Sequence, residues 1–496
     1  DRHAIEELGI PGLDLMEAAG RGVVDGLWQD YPDLDSRPVL ILCGKGNNGG
    51  DGLVVARLLK RAGLTPGVIL LADRSELKGD AATNFEAAAR SGLQVVSITD
   101  NAALNGLTPF LEANPLILDC MLGTGIKGGV RGLLAEVVGT INGSGCEIVS
   151  VDLPSGLDAD SLEVAGEPVR ASRTYTICRP KLPLVSAPTD TFAGEWSVID
   201  IGIPDESVAQ AGPDMEWVGA TIAAGLLPPR PADSHKGTYG HLLAYAGSPG
   251  KTGAAVLVGR AALRTGVGLC TLAVSESMRA ELTGEQPELM TAGRTEPADG
   301  QDALAVGPGL GSGDAVRELV AGLVETCDLP MVIDADGLNA LAASKEGLEI
   351  LRSRKGATIL TPHPKEAARL LEQEVGRIQE DRLAAARLLA VKSGSVVVLK
   401  GHRTVSAMPD GRAAFNSTGN PGMATAGTGD VLSGIIGAFL AGGCAPFDAA
   451  RLGVFLHGLA GDLAACETGM DSLIASDLLE QLPGAIQWLR TGWEKG

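Results

Sequence analysis

The sequence predicts an α/β protein built as two successive domains, each around an open and largely parallel sheet. Three observations lead there. Short apolar runs of strand length alternate with segments of helical periodicity, once over residues 38–201 and again from residue 242 onward. Most of these runs end in a polar, glycine-containing loop, the place where open α/β sheets bind ligands. At 496 residues the chain is too long for one ordinary core. Between Gly202 and Ser234 the alternation weakens, interrupted by Pro204, Pro213, Pro228, Pro229 and Pro231. The expected domains are therefore 1–212 and 231–496, with 213–230 as a linking segment.

Composition narrows the functional classes. A net charge of −21 argues against a general binder of nucleic acid or of anionic membrane. Aromatic residues make up only 3%, too few for stacking platforms on single strands. Glycine and charge interrupt every apolar stretch before it reaches membrane-spanning length. The first residues read as a helix, not a signal peptide, and with no initiating Met a few native residues are expected to precede them. The eight cysteines form no CxxC pair, which fits reduced thiols and a cytoplasmic location and gives no zinc site.

In the first series, residues 11–28 read as an amphipathic helix packed on the sheet. A buried strand over 38–43 leads into Gly44-Lys-Gly-Asn-Asn-Gly-Gly-Asp51-Gly, read as a loop, and a helix over 53–61. This is neither GxGxxG nor a P-loop, yet two amides and an acid make it more polar than a plain turn requires. Strands over 68–72 and 93–98 follow. The strand 115–119 ends in Asp119 and is succeeded by a second glycine loop over 123–129. The strand 146–151 runs into Asp152, with Ser155 and Asp158 close behind, and strands near 174–177 and 196–201 finish the series. Three strand ends thus bring Asn/Asp, Asp and Asp/Ser to one rim, which predicts a binding crevice.

The second series has strands over 242–246, 269–274, 302–306, 331–333, 358–360 and 396–399. Lys251, in Gly-Lys-Thr, lacks the upstream glycine spacing of a P-loop. Asp334 and Asp336 suit Mg²⁺ beside phosphate oxygens, or else cap a helix. His363 stands between two prolines that hold its backbone extended. Lys400 and Arg403 suit phosphate, or are solvated loop charges. A glycine-containing hairpin over 405–416 then leads to Asn420-Pro-Gly-Met-Ala-Thr-Ala-Gly-Thr-Gly-Asp430, followed by an apolar helical run. Gly427 and Gly429 let backbone N–H groups turn toward a ligand, and the new helix start adds orphan donors and a positive dipole end. A carboxylate there would repel phosphate unless it takes a proton from an attacking hydroxyl. The stretch reads either as an anion hole beside a general base, the pairing that phosphoryl transfer needs, or as a glycine-rich turn capped by Asp430.

With GNNGGDG, LGTGIKG and DLPSGLD in the first half and TPHPKE, KGHRT and NPGMATAGTGDVLSGII in the second, the chain closely resembles the bifunctional NAD(P)H-hydrate repair enzymes over nearly its whole length. That family fuses an NAD(P)HX epimerase of the YjeF N-terminal type to an ADP-dependent (S)-NAD(P)H-hydrate dehydratase. The resemblance implies a Rossmann-like doubly wound sheet followed by a ribokinase-like α/β/α sandwich. It implies that Asn47, Asn48, Gly49, Gly50 and Asp51, with Gly123, Thr124, Gly125, Ile126, Lys127, Gly128 and Gly129, hold the hydrated nucleotide, and that Asp152 contacts it and moves a proton. Asn48, Asp119 and Ser155 match potassium ligands. Ala254, Gly309, His363 and Asp430 match the dehydratase substrate site, with Asp430 as catalytic base. Lys400, Gly401, His402, Arg403 and Thr404, together with Gly429, match the adenine-nucleotide site. K⁺ is implied for the first domain and Mg²⁺ with ADP for the second; the partners implied are NAD(P)HX hydrates and ADP or ATP, in a homo-oligomer. Ala18 stands where LMENAGR has a polar residue, and Pro421-Gly422 departs from the common NxAMATAGTGD run. Two other readings fit parts of the pattern: a small-molecule kinase of the ribokinase superfamily, and a non-catalytic RNA-binding or scaffolding first domain.

Overall fold

In the computed structural model, which describes residues 2–282, 286–296, 299–344 and 347–492, the chain divides into two compact units, Asp1–Pro213 and Asp214–Gly496. The first unit holds seven strands: β1 (Val39–Cys43), β2 (Gly67–Leu70), β3 (Val95–Ser97), β4 (Leu116–Cys120), β5 (Ile148–Val151), β6 (Arg173–Ile177) and β7 (Glu195–Ile199). They lie in the order β3-β2-β1-β4-β5-β6-β7, and every neighbouring pair is parallel. Burial on both faces follows from that pairing. Val39, Ile41 and Cys43 of β1 enter one apolar core, whereas Leu40 and Leu42 enter another on the opposite face. The strand order reverses between β1 and β4, so the crevice opens where those two strand ends diverge.

The polar segment after β1 differs from its expected form. Residues 47–52 are not loop; they are the first turns of a helix, Asn47–Arg61, entered from an extended Gly46. The glycines serve packing. A Cβ on Gly49 would overlap the Gly44 carbonyl oxygen, and one on Gly52 would crowd Cys43 and Cys120. Small residues therefore let the helix start settle directly on the strand ends. Ala18 packs against this unit's core from helix Gly12–Asp30.

The second unit is a ten-stranded sheet of β8 (Met215–Val218), β9 (His241–Tyr245), β10 (Leu269–Val274), β11 (Met290–Gly293), β12 (Ala303–Val306), β13 (Met331–Ile333), β14 (Thr358–Leu360), β15 (Val396–Leu399), β16 (Val405–Ala407) and β17 (Ala413–Asn416). Their order is β11-β10-β9-β12-β13-β14-β15-β16-β17-β8. Only β15–β16 and β16–β17 are antiparallel. The stretch expected to be a linking segment, 213–230, instead supplies β8 and the helix Ala220–Leu226 to this unit. β8 pairs in parallel with β17, about 200 residues away in sequence, so no local pattern announces it. β11, at the opposite edge, was likewise not legible.

Helix Thr428–Ala441 lies against the sheet, with every residue from Val431 to Ala441 buried. It packs closely on helix Thr252–Thr265, and the approach depends on Gly434: a Cβ there would run into the Val258 carbonyl oxygen. Gly434→Ala is expected to cost about 1–3 kcal/mol of this unit's stability through overpacking. A lowered denaturation midpoint of the second unit checks this, and an unchanged midpoint would show that the two helices separate freely.

Candidate functional site

Each unit carries a cleft at the C-terminal edge of its sheet. In the first unit the cleft has a volume of about 980 Å³ and is lined by Asn47, Asn48, Asp51, Gly123, Thr124, Gly125, Ile126, Lys127, Asp152 and Lys181, among others. Gly49 and Gly50 of the expected set do not line it; they face the strand-end backbone and Met16 with Ala81. Gly128 and Gly129 also fall outside the lining, and a Cβ on Gly129 would overlap the Ala165 carbonyl oxygen.

Beneath the cleft floor lies a buried polar knot. Asp119, fully buried at the end of β4, accepts from Ser155 N (2.8 Å), Ser155 Oγ (2.6 Å), Ser150 Oγ (2.9 Å) and Met121 N (3.2 Å). Burial raises its pKa even against these donors. Asn48 donates Nδ2 to the Leu122 carbonyl oxygen at 2.9 Å, while its buried Oδ1 has no partner among the described residues. Asn48, Asp119 and Ser155 are thus brought together around Leu122, offering oxygen donors and one unsatisfied acceptor.

At the neighbouring strand end, Asp152 adopts φ +71°, a left-handed conformation unusual for a residue with a side chain. Its Oδ1 accepts from Ile177 N (3.3 Å) and from the Lys181 ammonium. Asp51 is buried nearby. Burial pushes its carboxyl well above the usual carboxylate range, the Asp152 charge adds to this, and Lys181 opposes it. Lys181 was not singled out from sequence. The run Cys178-Arg-Pro-Lys181 after β6 was the available signal, a turn placed immediately behind a strand end.

The second unit's cleft, of about 790 Å³, gathers Asp334, His363, Lys400, Gly401, His402, Arg403, Thr404, Gly427, Gly429, Asp430 and His457. Ala254 and Gly309 are not part of this lining. They meet each other instead, with a Cβ on Gly309 falling 2.7 Å from Ala254 Cβ. Gly427, at φ +91°, forms the left-handed entry to helix Thr428–Ala441, so Asp430 sits in that helix's first turn. Among the described residues no side chain or backbone group donates a hydrogen bond to its carboxylate. Burial raises Asp430 to about 7, with Asp334 and Asp336 adding and Lys400 opposing. A carboxyl of that acidity, unencumbered beside backbone donors, suits a general base near neutral pH.

The two acids after β13 resolve toward their capping alternative. Asp334, almost wholly buried, caps helix Ala335–Ala342 and accepts from Lys400 Nζ (2.6 Å) and Ser433 Oγ (2.8 Å). Asp336 accepts from Gly311 N (2.8 Å) and Lys251 Nζ (3.3 Å). Lys400 is therefore not a free phosphate contact. Burial lowers its pKa, but Asp334 and Glu366 raise it further, and the net shift is upward. His363 caps helix Pro364–Leu371 through Nδ1, which accepts from Lys365 N (3.0 Å) and Glu366 N (3.3 Å). The proline on each side thus serves a capping histidine that also reaches the cleft. Arg403 lies 5.0 Å over the Trp217 ring and donates to the Ser417 carbonyl oxygen at 3.3 Å.

Three supporting residues escaped the sequence reading. Buried Arg382 donates to the carbonyl oxygens of Leu399 (3.0 Å) and His402, holding the 400–404 loop. Asp462 accepts from Gly419 N and Asn420 Nδ2, both at 2.9 Å, anchoring the approach to the glycine loop. His457 bonds through Nε2 to the Thr428 carbonyl oxygen at 2.8 Å. Burial lowers its pKa to about 4, so it is neutral and donates through Nε2–H. All three sit in ordinary helical patterns, where polarity within an apolar face was the only signal.

Comparisons with known proteins follow the same division. Residues 242–484 match the family described as NAD(P)H-hydrate dehydratase, and residues 12–182 match the YjeF-related protein N-terminus. A bifunctional NAD(P)H-hydrate repair enzyme of Moorella thermoacetica is 43% identical over 504 residues, covering 98% of this chain and 94% of the relative. Its counterpart from Escherichia coli is 36% identical, covering 97% and 91%. Among solved structures, an ADP/ATP-dependent NAD(P)H-hydrate dehydratase from Bacillus subtilis, co-crystallised with ATP/Mg²⁺, is 35% identical with a TM-score of 0.51, covering 55% of this chain and 99% of that one.

The acidity of Asp430 has a consequence for stability. Its folded value, about 7, lies above its ordinary 3.8. The folded state therefore resists ionisation, and folding is penalised increasingly as pH rises from about 4 to about 7. Asp430→Asn removes the penalty. The variant is expected to melt above the wild type at about pH 8 and level with it at about pH 4. Melting curves at the two pH values check this; the same difference at both would mean that the carboxyl is not desolvated.

Proposed function

The chain belongs to the bifunctional NAD(P)H-hydrate repair enzyme family, and from that premise we propose which residues carry its two activities. It is an enzyme with NAD(P)H-hydrate epimerase activity in the first unit and ADP-dependent dehydratase activity in the second. The observation that carries the second assignment is Asp430: a hydrogen-bond-free carboxyl of pKa about 7, in the first turn of a helix entered through Gly427. The hydrate hydroxyl lies against Asp430 and the terminal phosphate of ADP against the N–H groups around Gly427–Gly429. Asp430 accepts the hydroxyl proton as phosphate transfers, and the backbone donors stabilise the charge on the transferring group. Phosphate, a far better leaving group than hydroxide, is then eliminated, which restores the reduced nicotinamide ring. Loop 400–404, stiffened by Arg382 and by the Arg403–Trp217 stack, holds the adenine nucleotide.

Mg²⁺ enters with the nucleotide. The carboxylates do not fit a dedicated protein cage for it, because Asp334 is consumed by Lys400, Ser433 and its cap. Its ligands are phosphate oxygens and water. K⁺ does fit the first unit: Asn48 Oδ1 is an orphaned buried acceptor beside the Asp119 carboxylate and Ser155, all hard oxygen donors. Asn48, Asp119 and Ser155 would hold the ion there and offset repulsion between the cleft's acids and a pyrophosphate. Asp152 is the proton-transferring group of the epimerase, which makes both hydrate epimers available to the dehydratase. No helix among the described residues is long and apolar enough to cross a membrane, and all eight cysteines are free, which supports a reducing compartment such as the cytoplasm.

Incubation with mixed R and S hydrates and ADP tests the assignment. Full recovery of reduced cofactor needs both units. Asp430→Asn is expected to abolish recovery, by a factor of about 10²–10⁴ in rate, while leaving R/S interconversion intact. Asp152→Asn is expected to limit recovery to the S fraction. Wild-type recovery by the Asp430→Asn enzyme would refute the base assignment. Replacing K⁺ by choline is expected to slow interconversion and leave dehydration of pure S hydrate unchanged; equal rates in both salts would remove K⁺ from the first unit.

A further inference from the structure

The Lys181 side chain is only 16% exposed and lies against the cleft of the first unit. An ammonium has three N–H donors, and here each has an acceptor. They go to Asp152 Oδ1, to Thr176 Oγ1 at 3.1 Å and to the Ile177 carbonyl oxygen at 2.6 Å. No donor is left for a substrate. The turn that returns Lys181 to its own strand end passes through Cys178, which like Asp152 takes a left-handed conformation, at φ +67°. Two residues with side chains thus hold an uncommon backbone geometry at adjacent strand ends, and the lysine ties those ends together.

The two oxygens of Asp152 are consequently unequal. Oδ1 is engaged by Lys181 and by Ile177 N–H. Oδ2 accepts nothing among the described residues and lies 3.1 Å from where Gly123 would carry a Cβ, facing the glycine loop. Asp51 is buried on the other side of the same cleft and has no cation of its own among the described residues; Lys181 is the one positive charge among them that acts on both acids.

We propose that Lys181 is a positioning residue of the epimerase: it locks Oδ1 of Asp152 so that Oδ2 alone is presented to the hydrate. This rests on the reading of Asp152 as the proton-transferring group. Lys181 touches no reacting atom. Its ammonium fixes the carboxylate rotamer and supplies the charge that lets an acid stay ionised next to Asp51.

The test uses the full chain and follows R/S interconversion without ADP. Lys181→Met is expected to lower kcat about 100-fold with KM within about threefold, since an interaction made through the proton-transferring group is lost while substrate contacts remain. Lys181→Arg is expected to recover about tenfold of that loss, keeping the charge without reproducing the three bonds. Thr176→Val, which removes one acceptor and leaves Asp152 untouched, is expected to lower kcat about two- to fivefold. It decides the matter if Lys181→Met fails to fold. ADP-dependent dehydration of pure S hydrate, carried by the other unit, is expected to be unchanged in all three. The proposal is overturned if Lys181→Met, or Thr176→Val where Met does not fold, leaves kcat at the wild-type value while Asp152→Asn is inactive. It is equally overturned if KM rises at constant kcat, because Lys181 would then be a substrate contact. If Asp152→Asn itself interconverts the epimers normally, the underlying reading fails instead.

Discussion

Backbone pressed directly against backbone at the C-terminal edge of a parallel sheet is the constraint on which both sites depend. In the first unit, Gly44 and Gly49 let the end of β1 and the start of helix Asn47–Arg61 meet with no side chain between them. In the second, Gly307 lies against the Asp334 carbonyl oxygen and Gly434 against that of Val258. A methyl group at any of these places would lift a helix start from the strand ends. The catalytic carboxyls ride on those starts and ends, so the packing of small residues below the clefts sets the geometry above them.

The electrostatic plan is the same in the two units although their strand orders differ. Each cleft pairs one lysine tightly with one carboxylate, Lys181 with Asp152 and Lys400 with Asp334. Each leaves a second carboxyl nearby without a partner of its own, Asp51 and Asp430, and burial raises the proton affinity of both. Environments that separate the behaviour of neighbouring acids are how a single residue type covers different proton-transfer tasks. The roles are distributed differently, however. In the first unit the lysine-bound acid faces the substrate; in the second it is the unpaired one.

Much of this was legible in the residues. Strand runs such as 39–43 and 396–399 are continuous apolar stretches closed by glycine, and the glycine loop before Asp430 carries its chemistry in its composition. What the sequence hid was of two kinds. Edge strands β8 and β11 are short and held by distant partners, so their identity lies in pairing rather than in pattern. Second, polar groups change role once neighbours are known. Lys400 reads as a phosphate contact until Asp334, 66 residues earlier, is seen to hold it. His363 reads as a rigid site histidine, and it is also a helix cap. Glycines 49 and 50 read as loop flexibility and are packing. Sequence spacing reports which residues share a rim, not which of them are already spoken for.

The edge strand β8 bears on how this chain can be dissected. A fragment cut at the proline-rich boundary, beginning near residue 231, would lack Met215–Val218 and leave β17 with a bare row of backbone donors and acceptors, the kind of edge that recruits other chains into aggregates. It would also lose Trp217, the aromatic surface beneath Arg403 in the nucleotide loop. Insolubility or weak nucleotide binding of such a piece would then report on the cut and not on the enzyme. Severing the chain just before Asp214 keeps the second sheet whole.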